Sequence, residues 1–224
     1  MTFFSLRPAV KYAAGALALA AAAFSSLSQA ADERPRVAMT TDLGTYVIEL
    51  YPAEAPATVA NFLAYVDSKF YDGTIYHRVI PGFVVQGGGL NFDFTQRETR
   101  DPIVNESDNG LRNDYKTLAM ARTNDPHSAS SQFYINLRNN DSLNAAPNKP
   151  GYTVFGKVVE GMEVVEKIVE EPRGMHRAFP EAPNYAVRTL SAKRVDADFK
   201  PDNKAGAAKV PMQNSKVRDA LVKP

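Results

Sequence analysis

From Arg36 to Val195 the chain is cut by turn residues into short apolar runs, and only two stretches carry a helical repeat. Residues 36–41 and 44–51 read as strands joined through Asp42-Leu43-Gly44, with Ile48 and Leu50 on one face of the second and Glu49 on the other. Residues 75–80, 84–86, 117–121, 132–137, 152–159 and 186–195 are further strand candidates. One helix is expected from Pro56, because Val59, Phe62, Leu63 and Val66 recur at i, i+3, i+4 and i+7. A second covers about residues 162–169 and stops before Pro172 and Gly174. Eight short strands and two helices lack the βα alternation of a doubly wound sheet. They predict a mainly β fold, a closed antiparallel barrel with two α-helices. Two long loops, 90–116 and 138–151, are rich in Asn, Asp and Gly, and loops of that length in a compact domain are commonly functional.

The ends of the chain read differently. Arg7 and Lys11 precede a stretch from Tyr12 to Leu27 without a charge, mostly alanine and leucine, ending at Ser28-Gln29-Ala30. This is the pattern of an export signal cleaved after Ala30, and it is too short and alanine-rich for a stable membrane span. Residues 31–35 then form a short leader, 36–198 the folded domain, and 199–224 a flexible basic tail with six basic and two acidic residues. The expected destination is the periplasm. Cleavage removes Arg7 and Lys11 and no acid, leaving 24 basic and 25 acidic residues. A near-neutral domain gives no case for a nucleic-acid partner. The 224 residues hold no cysteine, which excludes a disulfide framework, a thiolate metal site and a cysteine nucleophile.

The segment with most chemistry is F-Y-D-G-T-I-Y-H-R-V-I-P-G-F-V-V-Q-G-G-G at 70–89. Arg78 lies in a strand pattern and Gln86 an even eight residues later, so a reversal at Pro81-Gly82 brings both to one face. The glycine run beside them lets another part of the chain approach closely. Gly87-Gly88-Gly89 lacks the Gly-Lys-Ser/Thr ending of a P-loop. His77, His127 and His176 share no metal-ligand spacing, and Ser128, Ser130 and Ser131 are not in G-x-S-x-G.

Y-H-R-V-I-P-G-F-V-V-Q-G-G-G resembles the signature of the cyclophilin peptidyl-prolyl isomerases. The likeness continues through N-E-S-D-N-G-L-R-N at 105–113, L-A-M-A-R-T at 118–123, S-S-Q-F-Y-I-N at 130–136 and Y-T-V-F-G-K-V-V-E-G-M at 152–162. The N-G-L-R-N and A-M-A-R-T segments are similar to the bacterial exported branch. The resemblance implies a monomeric enzyme, without cofactor or metal, that acts on proline-containing unfolded or nascent exported polypeptides. It implies that Arg78 donates to the proline nitrogen and that Phe83, Val84, Tyr134 and Leu143 line the proline pocket. Gln86, Ala121, Arg122 and Gln132 are then expected to hold the peptide, Ala121 and Arg122 mostly through backbone, with Tyr152 at the pocket edge.

Departures from the family pattern carry expectations of their own. Val84 stands where many members have Met, Tyr134 where Phe is commoner, Arg122 where many have Asn, and Tyr152 where eukaryotic members have His. Ser142 aligns with the tryptophan that contacts cyclosporin in eukaryotic members, and this chain has no tryptophan. Weakened cyclosporin binding is therefore expected. The alternative to turnover is a proline-peptide-binding chaperone module that uses the same groove.

Overall fold

The computed structural model describes residues 34–174, 176 and 178–203. The expected export signal and most of the leader and tail lie outside them.

Strand β1 (Arg36–Thr41) turns at once into β2 (Gly44–Leu50), and Thr41 pairs with Gly44 across the hairpin. The turn is tied by the Thr41 side chain, whose hydroxyl donates to the Gly44 carbonyl at 2.9 Å and accepts from Leu43 N at 3.1 Å. Gly44 has φ +132°, and a Cβ there would lie 2.8 Å from Cγ2 of Val164, so only glycine lets the hairpin meet the second helix. Helix α1 (Pro56–Asp67) follows, and the stripe read from the sequence is its buried face: Val59, Phe62, Leu63 and Val66 are each 8% exposed or less. Its N-cap, Ala55, has no polar side chain to offer. The carboxylate of Glu106 supplies the acceptor, taking bonds from Ala57 N at 3.0 Å, Thr58 N at 2.9 Å and the Thr58 hydroxyl at 2.6 Å.

Then come β3 (Arg78–Ile80), β4 (Val84–Gly87), β5 (Thr117–Met120), β6 (Phe133–Asn136) and β7 (Val154–Glu160), followed by α2 (Met162–Glu170) and β8 (Thr189–Val195). All neighbouring strands are antiparallel, in the order β3-β4-β6-β5-β7-β2-β1-β8. Inside lies a core that includes Val37, Met39, Ile48, Leu118, Ile135 and Phe155, closed by α1 and α2. Phe62 of α1 sits at its centre, with ring centroids 5.2 Å from Tyr71, 5.7 Å from Phe133 and 5.2 Å from Phe155.

The expected closed barrel is corrected to an open, curled half-barrel, because the strand ladder ends at β3 and β8. Residues 75–77, expected to extend β3, and 186–188, expected to extend β8, lie outside the ladder. They meet at the Ile75–Arg188 bridge, with Tyr76 N donating to Val187 O at 3.1 Å and Thr189 N to Thr74 O at 2.8 Å. The seam is thus stitched by a few bonds without an eighth pairing of strands to close the ring.

Candidate active site

Residues directly opposite in antiparallel strands share a face. Arg78 pairs with Gln86, Gln86 with Tyr134, Tyr134 with Ala119, and Ala119 with Val154. One row therefore crosses five strands on the face turned away from the core, while Val79, Val85, Ile135 and Leu118 of the neighbouring row point inward. The period of two adds Val84, Gln132 and Ala121 to the same outer face.

On this face lies a second apolar cluster of Val84, Ala119, Tyr134 and Val154, with Phe83, Leu111, Ala121, Leu143 and Tyr152 packed on it. The five residues expected to form the pocket and its edge, Phe83, Val84, Tyr134, Leu143 and Tyr152, are all brought together here. Leu111, Ala119 and Val154 join them without having been singled out. Tyr134 and Tyr152 meet edge to face with centroids 5.9 Å apart. Leu143 comes from a short 3-10 turn, Asp141–Leu143, within the long loop expected at 138–151. Its carbonyl accepts from Tyr152 N at 3.0 Å, which fixes one wall to the other. The exposed Ser142 is on the same turn, its carbonyl bonded to Lys149 Nζ at 2.8 Å.

The floor is polar and buried. The hydroxyl of Tyr134 donates to Oδ1 of Asn113 at 2.8 Å, and burial pushes this phenol well above its ordinary pKa, so it stays a neutral donor. Asn136 also donates to that oxygen, at 3.2 Å, and Asn140 donates to Asn136 Oδ1 at 2.8 Å. Asn113 Nδ2 reaches Leu143 O at 3.2 Å. These asparagines, each 2% exposed or less, went unassigned in the sequence reading, although Asn113 closes the N-G-L-R-N motif. Each satisfies groups that burial would otherwise leave unpaired.

At the other end of the row the side chains are charged or amide. Gln86 Nε2 donates to Gln132 Oε1 at 2.9 Å. A Cβ on Gly89 would stand 2.4 Å from Gln132 Cγ, so the third glycine of the run is what admits Gln132. Arg78 is partly exposed, its guanidinium carbon 5.9 Å from the Phe83 ring centre and its Nε bonded to Glu181 Oε2 at 3.0 Å. Glu181 was not expected. Beneath lies His77, 5% exposed, whose imidazole burial pushes down to about 4; contacts with the Ile75 backbone and the Gln132 side chain oppose that, and the Arg78 charge adds to it.

Two of the expected peptide holders are partly engaged already. Ala121 N donates to Gln132 O at 2.9 Å. The Arg122 guanidinium stacks 4.4 Å above the Tyr152 ring and donates to Gly151 O, Thr123 O and Pro150 O at 3.2, 2.8 and 3.0 Å. Its side chain is therefore a strap on the pocket wall. The backbone N–H and C=O of Arg122 bond to none of the described residues.

A family model described as cyclophilin type peptidyl-prolyl cis-trans isomerase/CLD matches residues 36–193. A peptidyl-prolyl cis-trans isomerase of Streptomyces antibioticus is 54% identical over 160 residues, which cover 70% of this chain and 96% of that protein. Peptidyl-prolyl cis-trans isomerase B of Escherichia coli is 49% identical over 151 residues, 65% of this chain and 92% of its own. Among solved structures, a cyclophilin type isomerase of Cryptosporidium parvum is similar with a TM-score of 0.58 and 26% identity, covering 73% of this chain and 99% of that one. A second structure of that protein, in the presence of the dipeptide Ala-Pro, has a TM-score of 0.57 and 27% identity, covering 72% of this chain and 99% of its own.

Proposed function

The chain belongs to the cyclophilin-type peptidyl-prolyl cis-trans isomerase family, and on that premise we propose that it accelerates X-Pro rotation in exported proteins, with Arg78 as its catalytic residue. The observation that carries this reading is the row from Arg78 through Gln86 and Tyr134 to Val154, a guanidinium at one end and an apolar pocket at the other.

Rotation about an X-Pro bond faces a barrier of about 18–20 kcal/mol, because the planar amide loses resonance. No bond to carbon forms or breaks, so the protein must hold the ring, grip the flanking chain and favour the twisted state. Phe83, Val84, Tyr134 and Leu143 receive the ring, and Tyr152 borders it. The open backbone groups of Arg122 pair with the peptide as an added strand, and Gln86 and Gln132 hold its carbonyls. Presence of Ala-Pro in the structure of the similar parasite protein supports a site of proline size.

As the bond twists, the proline nitrogen becomes pyramidal and regains its lone pair. A permanently charged donor at that point binds the twisted state better than the planar one, which is what lowers the barrier. Such a bond contributes about 1.5–3 kcal/mol, or roughly 10- to 100-fold in rate. In a protease-coupled peptide assay the wild type should be active and Arg78→Ala slower by that factor. Unchanged activity in Arg78→Ala overturns the mechanism, and peptide binding without turnover in the wild type means a chaperone module instead.

Export rests on residues 1–30, whose charge and apolar pattern support a cleaved signal and a periplasmic destination for a monomer acting on unfolded or nascent polypeptides. Sequencing the amino terminus of protein recovered from the periplasm should start at Ala31. A chain that retains residues 1–30 in the cytoplasm overturns this part.

A further inference from the structure

We propose that Glu181 is a positioning residue for Arg78, holding its guanidinium edge so that the terminal nitrogens face the peptide. The inference rests on the reading of Arg78 as the catalytic residue. Glu181 lies 103 positions from Arg78 in sequence, yet its carboxylate accepts from Nε at 3.0 Å. Among the described residues the terminal nitrogens, Nη1 and Nη2, bond to none. An arginine offers five N–H donors in one plane, so a bond through Nε alone fixes the plane and leaves the other four donors available.

The backbone that carries the carboxylate is itself held. Glu181 O accepts from Val79 N at 2.9 Å, Phe179 packs edge-on to His77 at 6.0 Å, and Ala182 is 1% exposed. The segment carrying Glu181 is thus registered against three consecutive residues of the chain, 77, 78 and 79. Both members of the ion pair are more than a third exposed, 37% and 43%, and such pairs add little to stability. Their effect falls on orientation: a long side chain at a strand edge samples many rotamers, and the carboxylate selects one.

The test is kcat and KM of the full chain on an Ala-Pro tetrapeptide, for wild type, Glu181→Ala, Glu181→Gln, Arg78→Ala and the Arg78→Ala/Glu181→Ala double variant. Glu181→Ala should lower kcat about three- to tenfold with KM changed less than about twofold. Glu181→Gln, whose amide oxygen still accepts from Nε, should recover at least half of that loss. The double variant should be no slower than Arg78→Ala, because Glu181 acts only through the arginine. Glu181→Ala at or above wild-type rate overturns the inference, the latter outcome showing a carboxylate that competes with substrate. An equal loss from Glu181→Ala in both backgrounds also overturns it, as a structural effect. If Arg78→Ala keeps full activity, the catalytic reading of Arg78 itself fails.

Discussion

His77 shows how one buried side chain couples the site to folding. Its imidazole, pushed down to about 4 by burial, titrates near 6.5 once the chain unfolds. Between those values the unfolded chain takes up a proton that the folded one refuses. The contribution is therefore complete above about pH 6.5 and is lost as the pH falls toward 4, roughly 3 kcal/mol over the window. Urea unfolding at about pH 7 and about pH 4.5 should show a drop of that order, and His77→Gln should remove that part of the slope. An identical slope in the variant means other groups cause the acid sensitivity. At the same scale, Gly89 matters for what it lacks. The space a Cβ would fill is occupied by Gln132, whose amide meets Gln86 beside the pocket.

The elements of this fold are completed by loops. Helix α1 has a well-formed apolar stripe and Pro56 in its first turn, but its cap comes from Glu106, 48 or 49 residues further along the chain. Glu106 is in turn tied by its own N–H to the Thr153 hydroxyl at 2.9 Å, next to Tyr152. One glutamate thus links the helix start, through its carboxylate, to the pocket wall, through its backbone N–H. Glu106→Ala should cost about 1–2 kcal/mol in chemical denaturation, since two backbone N–H groups lose their acceptor. A loss of less than a few tenths of a kcal/mol would show that water caps the helix equally well. Strands β3, β4 and β6 each span only three or four residues, and the bond from Leu137 N to Phe83 O at 2.9 Å extends their pairing into the loops.

Across the whole molecule, distant segments meet at the expected tail and at the seam, among other places. Asn203, at the start of the expected tail, donates from Nδ2 to Thr45 O at 2.9 Å and accepts from Thr45 N at 2.8 Å, while Lys200 pairs with Glu160. Asn203→Ala should lose about 1–2 kcal/mol of stability with isomerase turnover unchanged, read by urea titration beside the peptide assay. Undiminished stability would show that residues 199–203 do not brace the fold. The seam between β3 and β8 is another meeting place, and there the sequence reading overshot. Residues 75–80 and 186–195 are apolar enough to read as long strands, yet only Arg78–Ile80 and Thr189–Val195 enter the ladder. Apolar alternation reports burial on one side and not the identity of the backbone partner, which at Val79 is the loop carbonyl of Glu181. What the sequence alone determined was therefore local. It set the helical stripe from Val59 to Val66, the Asp42-Leu43 turn, the even spacing of Arg78 and Gln86, and the motifs that name the family. Tertiary structure alone decided the open seam, the asparagine floor under Tyr134, the cap on α1 and the carboxylate beside Arg78. Each of those depends on a few polar contacts between residues about 20 to more than 100 positions apart. Such contacts leave no period in a sequence, because they depend on where the folded backbone places each end.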